Sequence, residues 1–467
     1  MIKNEERLGE VVSLGANGEG VLRENQYVIF VPYSLPGEKI KYKVLKVAKN
    51  IVYGKLLEVI VPSNNRVQPV CPVFTKCGGC QLQHLVYQEQ LESKREQIKQ
   101  CFYKIANLNV DVLPVVTGES EYNYRNKLQL PVQANENGAI LGFYAENSHR
   151  VIQVEDCYTS ALWTKDVIKC FKDYFKEFNV KGYDEKTFSG DIREITVKEI
   201  NNNLIITVVS CQNTIKGKER LIEILKQGIK LNFSLYININ NNRNNVIYGE
   251  QFKHIYGEKD YYGEMFGIKY KIGVKSFMQI NNSVCRKLYQ TVRDKLNADS
   301  ETVVFDAYSG AGLMTALLSK NAKKAIGIEI IEEAVKLADE LAIDNGLSSV
   351  IKNYCGKCEE ILPNLIRREK EQASKISVVL DPPRKGVDIN VINAIIKSDI
   401  EKIVYVSCMP STLARDVGLI TGSLEYVDGK IVKSDKATHR YTITEVIPFD
   451  MFAQTKHVET LVVLQRK

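Results

Sequence analysis

Val404-Tyr405-Val406-Ser407-Cys408-Met409-Pro410-Ser411-Thr412 is an apolar, β-branched run that stops at a cysteine followed closely by a proline. It reads as a buried strand that carries a thiol to its carboxyl end, where open α/β sheets hold their ligands. Two stretches upstream share the design. Ile376-Ser377-Val378-Val379-Leu380 ends in Asp381-Pro382-Pro383-Arg384-Lys385-Gly386, and Thr302-Val303-Val304-Phe305-Asp306 opens onto Ala307-Tyr308-Ser309-Gly310-Ala311-Gly312. From about Lys271 strands alternate with helical patterns, which predicts a doubly wound, Rossmann-like sheet over 271–467. Its rim carries a glycine turn, an acid before paired prolines, and a cysteine.

The 467 residues are enough for two or three domains. A hydrophobic share of 44% and a charged share of 25% fit a soluble globular chain, and a net charge of +7 permits an anionic partner without demanding one. No apolar run approaches the ~18 residues of a membrane span, and the N-terminus lacks a signal-peptide core. A cytoplasmic protein without a membrane partner is expected. Eleven cysteines in so long a chain do not read as a disulfide framework, so clustered ones point to metal binding or catalysis.

Residues 1–62 read as a small β unit. In Ile40-Lys41-Tyr42-Lys43-Val44 the apolar residues alternate with lysines, and Lys39, Lys46, Lys49 and Lys55 extend the positive strip. A guarded edge strand explains this, but a small barrel with a basic face toward RNA backbone explains it better. Residues 63–270 read as a mixed α+β domain, with strands at 128–132, 195–198 and 204–209 and an amphipathic helix over 87–105 that docks on the catalytic domain. Tyr122-Asn123-Tyr124-Arg125-Asn126-Lys127 interleaves aromatics with bases, a combination that suits stacking and clamping RNA and equally suits a solvated strand start. The asparagine-rich 238–245 stretch is expected to be an exposed loop. Cys71, Cys77 and Cys80 lie within ten residues, and Cys157, directly after strand-like sequence, is the best fourth ligand. All-thiolate ligation suits zinc or an iron–sulfur cluster, and spacing does not separate them.

The glycine turn after Asp306 gains meaning from Ala325-Ile326-Gly327-Ile328-Glu329, a second strand ending in an acid that is placed to accept two ribose hydroxyls. Thr315 stands where a pyrophosphate-binding turn has its third glycine, so S-adenosylmethionine fits better than a dinucleotide. Asp381-Pro382-Pro383 is similar to nucleobase methyltransferases, yet Arg384 replaces the aromatic residue usual in amine methylation. Amine methylation needs no thiol. A pyrimidine C5 does, because a thiolate must first add to C6 before C5 becomes nucleophilic. Cys408 is placed for that addition. A base must then remove the C5 proton, and Glu459 in His457-Val458-Glu459-Thr460 is a candidate at the start of an apolar strand.

Across nearly the whole chain these motifs, with Phe277-Met278-Gln279-Ile280-Asn281, resemble the RNA uracil-C5 (5-methyluridine) methyltransferase family. The resemblance implies an N-terminal OB-like TRAM barrel, a central domain with an iron–sulfur site and a C-terminal methyltransferase domain. It implies Cys408 as nucleophile, Glu459 as proton acceptor, and S-adenosylmethionine contacts at Gln279, Tyr308, Glu329 and Asp381. It also implies a four-iron–four-sulfur cluster on Cys71, Cys77, Cys80 and Cys157. A barrel together with a cluster is most like the 23S ribosomal RNA enzymes, acting as monomers. Met409 departs from the asparagine more usual at that position. The alternatives are uridine C5 methylation of tRNA, an amine methyltransferase of RNA, a non-catalytic RNA-binding assembly factor, and a redox protein.

Overall fold

The computed structural model describes residues 1–136, 138–371, 375–398, 400–434 and 440–467. The chain divides into two compact units. One comprises Met1–Ser93, Ser120–Lys259 and Phe452–Lys456; the other comprises Lys94–Glu119, Asp260–Met451 and His457–Lys467. Among the described residues, no helix is long and apolar enough to cross a membrane.

The first unit holds two sheets. In the N-terminal one, Glu6–Glu10 pairs with Lys39–Ala48 while Ser13–Leu14 pairs with Gly20–Glu24. The link between them donates from Val11 to the Glu38 carbonyl and from Val12 to the Val21 carbonyl. One continuous stretch therefore bonds both edges and closes the sheet around Leu22, Ile29, Ile40, Tyr42 and Val44. The alternation expected in Lys39–Val44 is present, with Ile40, Tyr42 and Val44 fully buried. The lysine strip is partly neutralised from the next strand, since Lys41 pairs with Glu6 at 2.8 Å.

The second sheet of this unit has seven strands. In spatial order they are Gln251–Tyr256, Asn232–Ile239, Asn203–Ser210, Ile192–Ile200, Lys127–Asn135, Gly138–Tyr144 and Val151–Gln153. One face (Leu128, Leu130, Ile195, Val197, Ile206) packs into a core with the helices Thr164–Phe178 and Lys218–Gly228. The predicted strands at 128–132, 195–198 and 204–209 all fall within this sheet. The asparagine-rich stretch is an exposed loop at 241–245, as expected, but departs from expectation before it. Asn238 and Ile239 belong to a strand, and the side chains of Asn238 and Asn240 are buried because their amides satisfy backbone groups. Asn238 Nδ2 donates to the Gly249 and Gln251 carbonyls, each at 3.0 Å.

In the second unit a seven-stranded sheet runs in the order Ile351–Cys355, Lys324–Glu329, Thr302–Ala307, Lys375–Leu380, Lys402–Ser407, Glu459–Arg466, Tyr441–Phe449. The first five strands are parallel; the Glu459 strand runs antiparallel beside the Cys408 strand. The parallel strands Thr302–Ala307, Lys375–Leu380 and Lys402–Ser407 are almost wholly buried, which explains their unbroken apolar runs, while the edge strand Ile351–Cys355 is not. The helix Tyr87–Ala106 contributes Ile98, Phe102 and Ala106 to this unit's core. Its Lys94 forms a buried ion pair with Asp450, at 2.5 Å with side chains 1% and 0% exposed.

Candidate active site

The parallel sheet changes direction at Thr302–Ala307. Lys324–Glu329 pairs on one side of it and Lys375–Leu380 on the other. A crevice forms outside the strand ends at such a switch point, and here a cleft of about 160 Å³ is lined by Gln279, Tyr308, Gly310, Asp306 and Asp381 among others.

The turn after the central strand is held tightly. Tyr308 has φ 70°, a left-handed conformation costly for a bulky side chain, and the amides of Tyr308 and Ser309 both donate to the Ile328 carbonyl at 3.0 Å. Glu329 stands at this turn and does not line the cleft. Its carboxylate accepts from the Gly310 amide at 3.0 Å and the Ile331 amide at 2.9 Å. Thr315, in place of a third glycine, donates its hydroxyl to the Asp306 carboxylate at 2.6 Å. Burial pushes Asp306 up to about 7 against that hydrogen bond, and Asp381 pushes it the same way.

The thiol and the distant carboxylate meet through strand register. Ser407 and Thr460 are the last pair of this ladder, Cys408 and Glu459 are the residues that flank it, and the Glu459 charge reaches the thiol. Glu459 is buried, and its carboxyl is raised well above the usual range by burial and then by Asp381. Asp381 is open to the cleft, yet protein surrounds it on its other sides and that enclosure raises it too. Two neighbouring carboxyls in this state share protons. Burial raises the Cys408 thiol, Glu459 adds to the effect, and the Arg384 guanidinium opposes it. Arg384 is thus the group that favours a thiolate here.

Buried Asp416 fastens the Asp381–Gly386 loop to this arrangement. Its Oδ2 accepts from the Tyr405 hydroxyl at 2.6 Å and from the Val387 amide at 2.8 Å. Pro410 begins the helix Pro410–Thr421, where its missing N–H costs nothing, and Thr412 donates to the Arg384 carbonyl at 3.2 Å. Sequence reasoning missed Cys285 and Tyr289, which also line the cleft. Their i, i+4 spacing on Asn282–Leu296 was the available signal, but it reads equally as core.

In the other unit Cys71, Cys77, Cys80 and Cys157 are free and half-buried. Each of the first three feels the charge of Cys157, and burial raises Cys77 to about 11 and Cys80 to about 12. Among the described residues, no three His, Cys, Asp or Glu side chains are gathered as a single metal ion requires. Arg125 and Tyr122, read from sequence as an RNA clamp, lie within the field of these thiols instead.

A switch-point crevice without a pyrophosphate cradle, opening beside a strand-end thiol, has the design of a methyltransferase site. Comparison with known proteins makes the class particular. The family described as tRNA (Uracil-5-)-methyltransferase matches residues 86–467. An uncharacterized RNA methyltransferase of Clostridium tetani is 37% identical over 456 residues, covering 97% of this chain and 95% of that protein. One from Staphylococcus epidermidis is 36% identical over 470 residues, covering 100% and 98%. The chain belongs to the RNA uracil-C5 methyltransferase family and is an RNA methyltransferase. Its fold is also that of the Pyrococcus abyssi tRNA (uracil-54, C5)-methyltransferase, solved with S-adenosyl-L-homocysteine. The TM-score is 0.75 at 23% identity, over 98% of this chain and 100% of that one.

Proposed function

We propose that this protein methylates uridine C5 in RNA with S-adenosylmethionine, through a covalent bond from Cys408 to C6 and proton removal by Glu459. The observation that supports the reading is the ladder between the two antiparallel strands, which ends at Ser407 and Thr460 with Cys408 and Glu459 as flanking residues. When bound, S-adenosylmethionine supplies an electrophilic methyl group. Gln279, Tyr308 and Asp381 in the cleft wall would hold it, with Glu329 beside them at the end of its strand. Asp381, in the cleft wall, is placed to serve as the carboxylate partner of a cationic ligand, whose charge would favour its ionised form.

Cys408 adds to C6 as the thiolate, the form that Arg384 favours. After methylation C5 still bears its proton. Glu459 takes it, and the electron pair left behind expels Cys408 and restores the ring double bond. A carboxylate held in an enclosed site is a stronger base than one in water, so the raised pKa of Glu459 suits this step.

Cys71, Cys77, Cys80 and Cys157 are proposed to hold a four-iron–four-sulfur cluster as a structural element. A cubane takes one thiolate at each of four corners, a wider set than a single ion needs. The four half-buried thiols are neighbours, since the charge of Cys157 reaches each of the other three. The N-terminal closed sheet is proposed as a TRAM-type RNA-binding barrel, and the protein as a cytoplasmic monomer. The RNA is proposed to be 23S ribosomal RNA. A second reading, tRNA, has its own support, because a tRNA enzyme shares this fold over its whole length, so the barrel alone does not select ribosomal RNA.

The test follows where each variant stops. Cys408→Ala should yield neither product nor adduct. Glu459→Gln should transfer one methyl group and stay attached to the RNA, visible as a shifted band on a denaturing gel. Normal turnover by Glu459→Gln would require another base; 5-methyluridine made by Cys408→Ala would overturn the mechanism. Nucleoside mapping of ribosomal RNA and tRNA from cells lacking the gene decides the target.

A further inference from the structure

A second cleft lies wholly within the cysteine-bearing unit, on the face of its seven-stranded sheet turned away from the hydrophobic core. It encloses about 560 Å³. Gln129, Pro131 and Glu194 line it, while their neighbours Leu128, Leu130 and Ile195 point into the core, as strand alternation requires. A register irregularity between Ile192 and Glu194 falls at this point of the strand. Such bulges commonly re-aim a side chain toward a site. Burial raises the Glu194 carboxyl to about 7, and the charges of Arg193 and Lys127 oppose that rise.

The walls are aromatic and carry arginines. The Arg193 guanidinium lies 4.4 Å from the centre of the Tyr183 ring, and that of Arg243 lies 5.3 Å from the Phe188 ring. Tyr144 sits at the cleft beside His149, their ring centres 5.7 Å apart. Phe188 is 45% exposed although its backbone has φ 56°, a strained conformation for a bulky residue. Arg193 is itself fixed by the asparagine-rich loop, donating to the carbonyls of Asn240, Asn242 and Asn244 at 3.3, 2.7 and 2.9 Å. That loop also brings Arg243 to the mouth. Nothing in the methyl-transfer chemistry uses any of these groups.

We propose that this cleft is a second nucleobase site, which takes one unpaired guanine of the RNA substrate stacked against the aromatic wall with its N1–H and N2–H donated to the Glu194 carboxylate. The inference rests on the chain acting on RNA. Guanine is selected by the floor once Glu194 is ionised, on the alkaline side of its raised pKa, where binding is to be read: a carboxylate then only accepts, and guanine alone presents two adjacent donors on its pairing edge. Adenine and cytosine place one donor beside an acceptor, and uracil flanks one donor with two acceptors. Unpaired bases recognised on stacked aromatic and arginine planes are the ordinary mode of single-strand RNA readout. A base within RNA suits the site better than a free nucleotide, since the arginine at the mouth is exposed and no helix N-terminus lines the cleft to cradle a terminal phosphate.

The experiment uses the full chain and short fluorescent uridine-rich RNAs that carry one internal guanosine, inosine or adenosine, with binding read by anisotropy. Guanosine RNA should bind about tenfold tighter than inosine RNA, which lacks one donor to a charged acceptor. Glu194→Gln should erase that preference while thermal unfolding and methylation of a short target hairpin stay unchanged. Arg243→Ala and Phe188→Ala should weaken all three RNAs by similar factors. Equal binding of guanosine and inosine RNA by the unmodified protein, or a preference that survives in Glu194→Gln, would overturn the proposal. Tighter binding of adenosine RNA would indicate a protonated carboxyl and overturn the guanine assignment. Competition by free GMP as effective as by RNA would overturn the RNA assignment. Loss of methyl transfer by every form, with the guanosine preference intact, would refute the methylation reading and leave this site standing.

Discussion

Lys94→Met should be the most damaging substitution far from the reacting atoms. The ammonium and the Asp450 carboxylate are 2.5 Å apart, and both side chains are essentially without solvent. Burial lowers the Lys94 pKa and the Asp450 charge opposes that, so each charge depends on the other. Removing the cation leaves a carboxylate enclosed, at a cost of about 3–5 kcal/mol. For a unit of this size, roughly 2–4 °C are lost per kcal/mol, which gives a fall of roughly 10 °C in the unfolding temperature. The amide of Asp450 also donates to the Val116 carbonyl at 2.8 Å, fixing the end of the strand that pairs with the Glu459 strand. Activity measured well below the transition should therefore fall as well. The double variant Lys94→Met/Asp450→Leu, apolar on both sides, should recover most of the stability. Calorimetry and urea titration read these changes. A Lys94→Met loss under about 1 kcal/mol with an unchanged urea slope would show that the pair is hydrated and refute the argument.

Three further outcomes are expected. On the proposed mechanism Glu459 must be ionised to take the C5 proton, and its carboxyl is raised above the ordinary 4.5, so kcat/KM should fall on acidification beginning well above that value; the raised Cys408 thiol acts in the same direction, and a profile flat down to about pH 5 would refute this. Anaerobically purified protein should be brown with equal iron and sulfide, and Cys80→Ser should lose the metal and destabilise its unit; zinc in place of iron would sink the cluster. Deleting residues 1–62 should weaken RNA binding and flatten its salt dependence by less than the lysine count suggests, because Lys41 is already paired with Glu6, and an unchanged slope would remove the barrel from the RNA surface.

The sheet that carries the chemistry was legible because parallel strands buried on both faces appear as unbroken apolar runs, each closed by a residue with a different task. Gly310, Asp381 and Cys408 could be placed at one rim on that basis alone. What sequence left open were the non-local partnerships. The pairing of the Glu459 strand with the Cys408 strand follows from no spacing, and neither does the pairing of Lys94 with Asp450. Asn238 and Asn240 look like loop residues until their amides are seen satisfying buried backbone groups. Tyr122 and Arg125 have the composition of an RNA clamp, but their place beside the cysteines is a product of the tertiary fold.

The Glu459–Arg466 strand lies between Lys402–Ser407 and Tyr441–Phe449, both of which precede it in the chain. During vectorial synthesis its two neighbours emerge first, with a strand-wide gap between them. On the proposed mechanism, the nascent chain can assemble its glycine turn and expose its thiol while still lacking the carboxylate that would release a captured base. An immature chain meeting RNA and donor in that state would then form an adduct with no exit. Under that mechanism, inserting the strand late makes closure of the sheet and acquisition of a release step a single folding event.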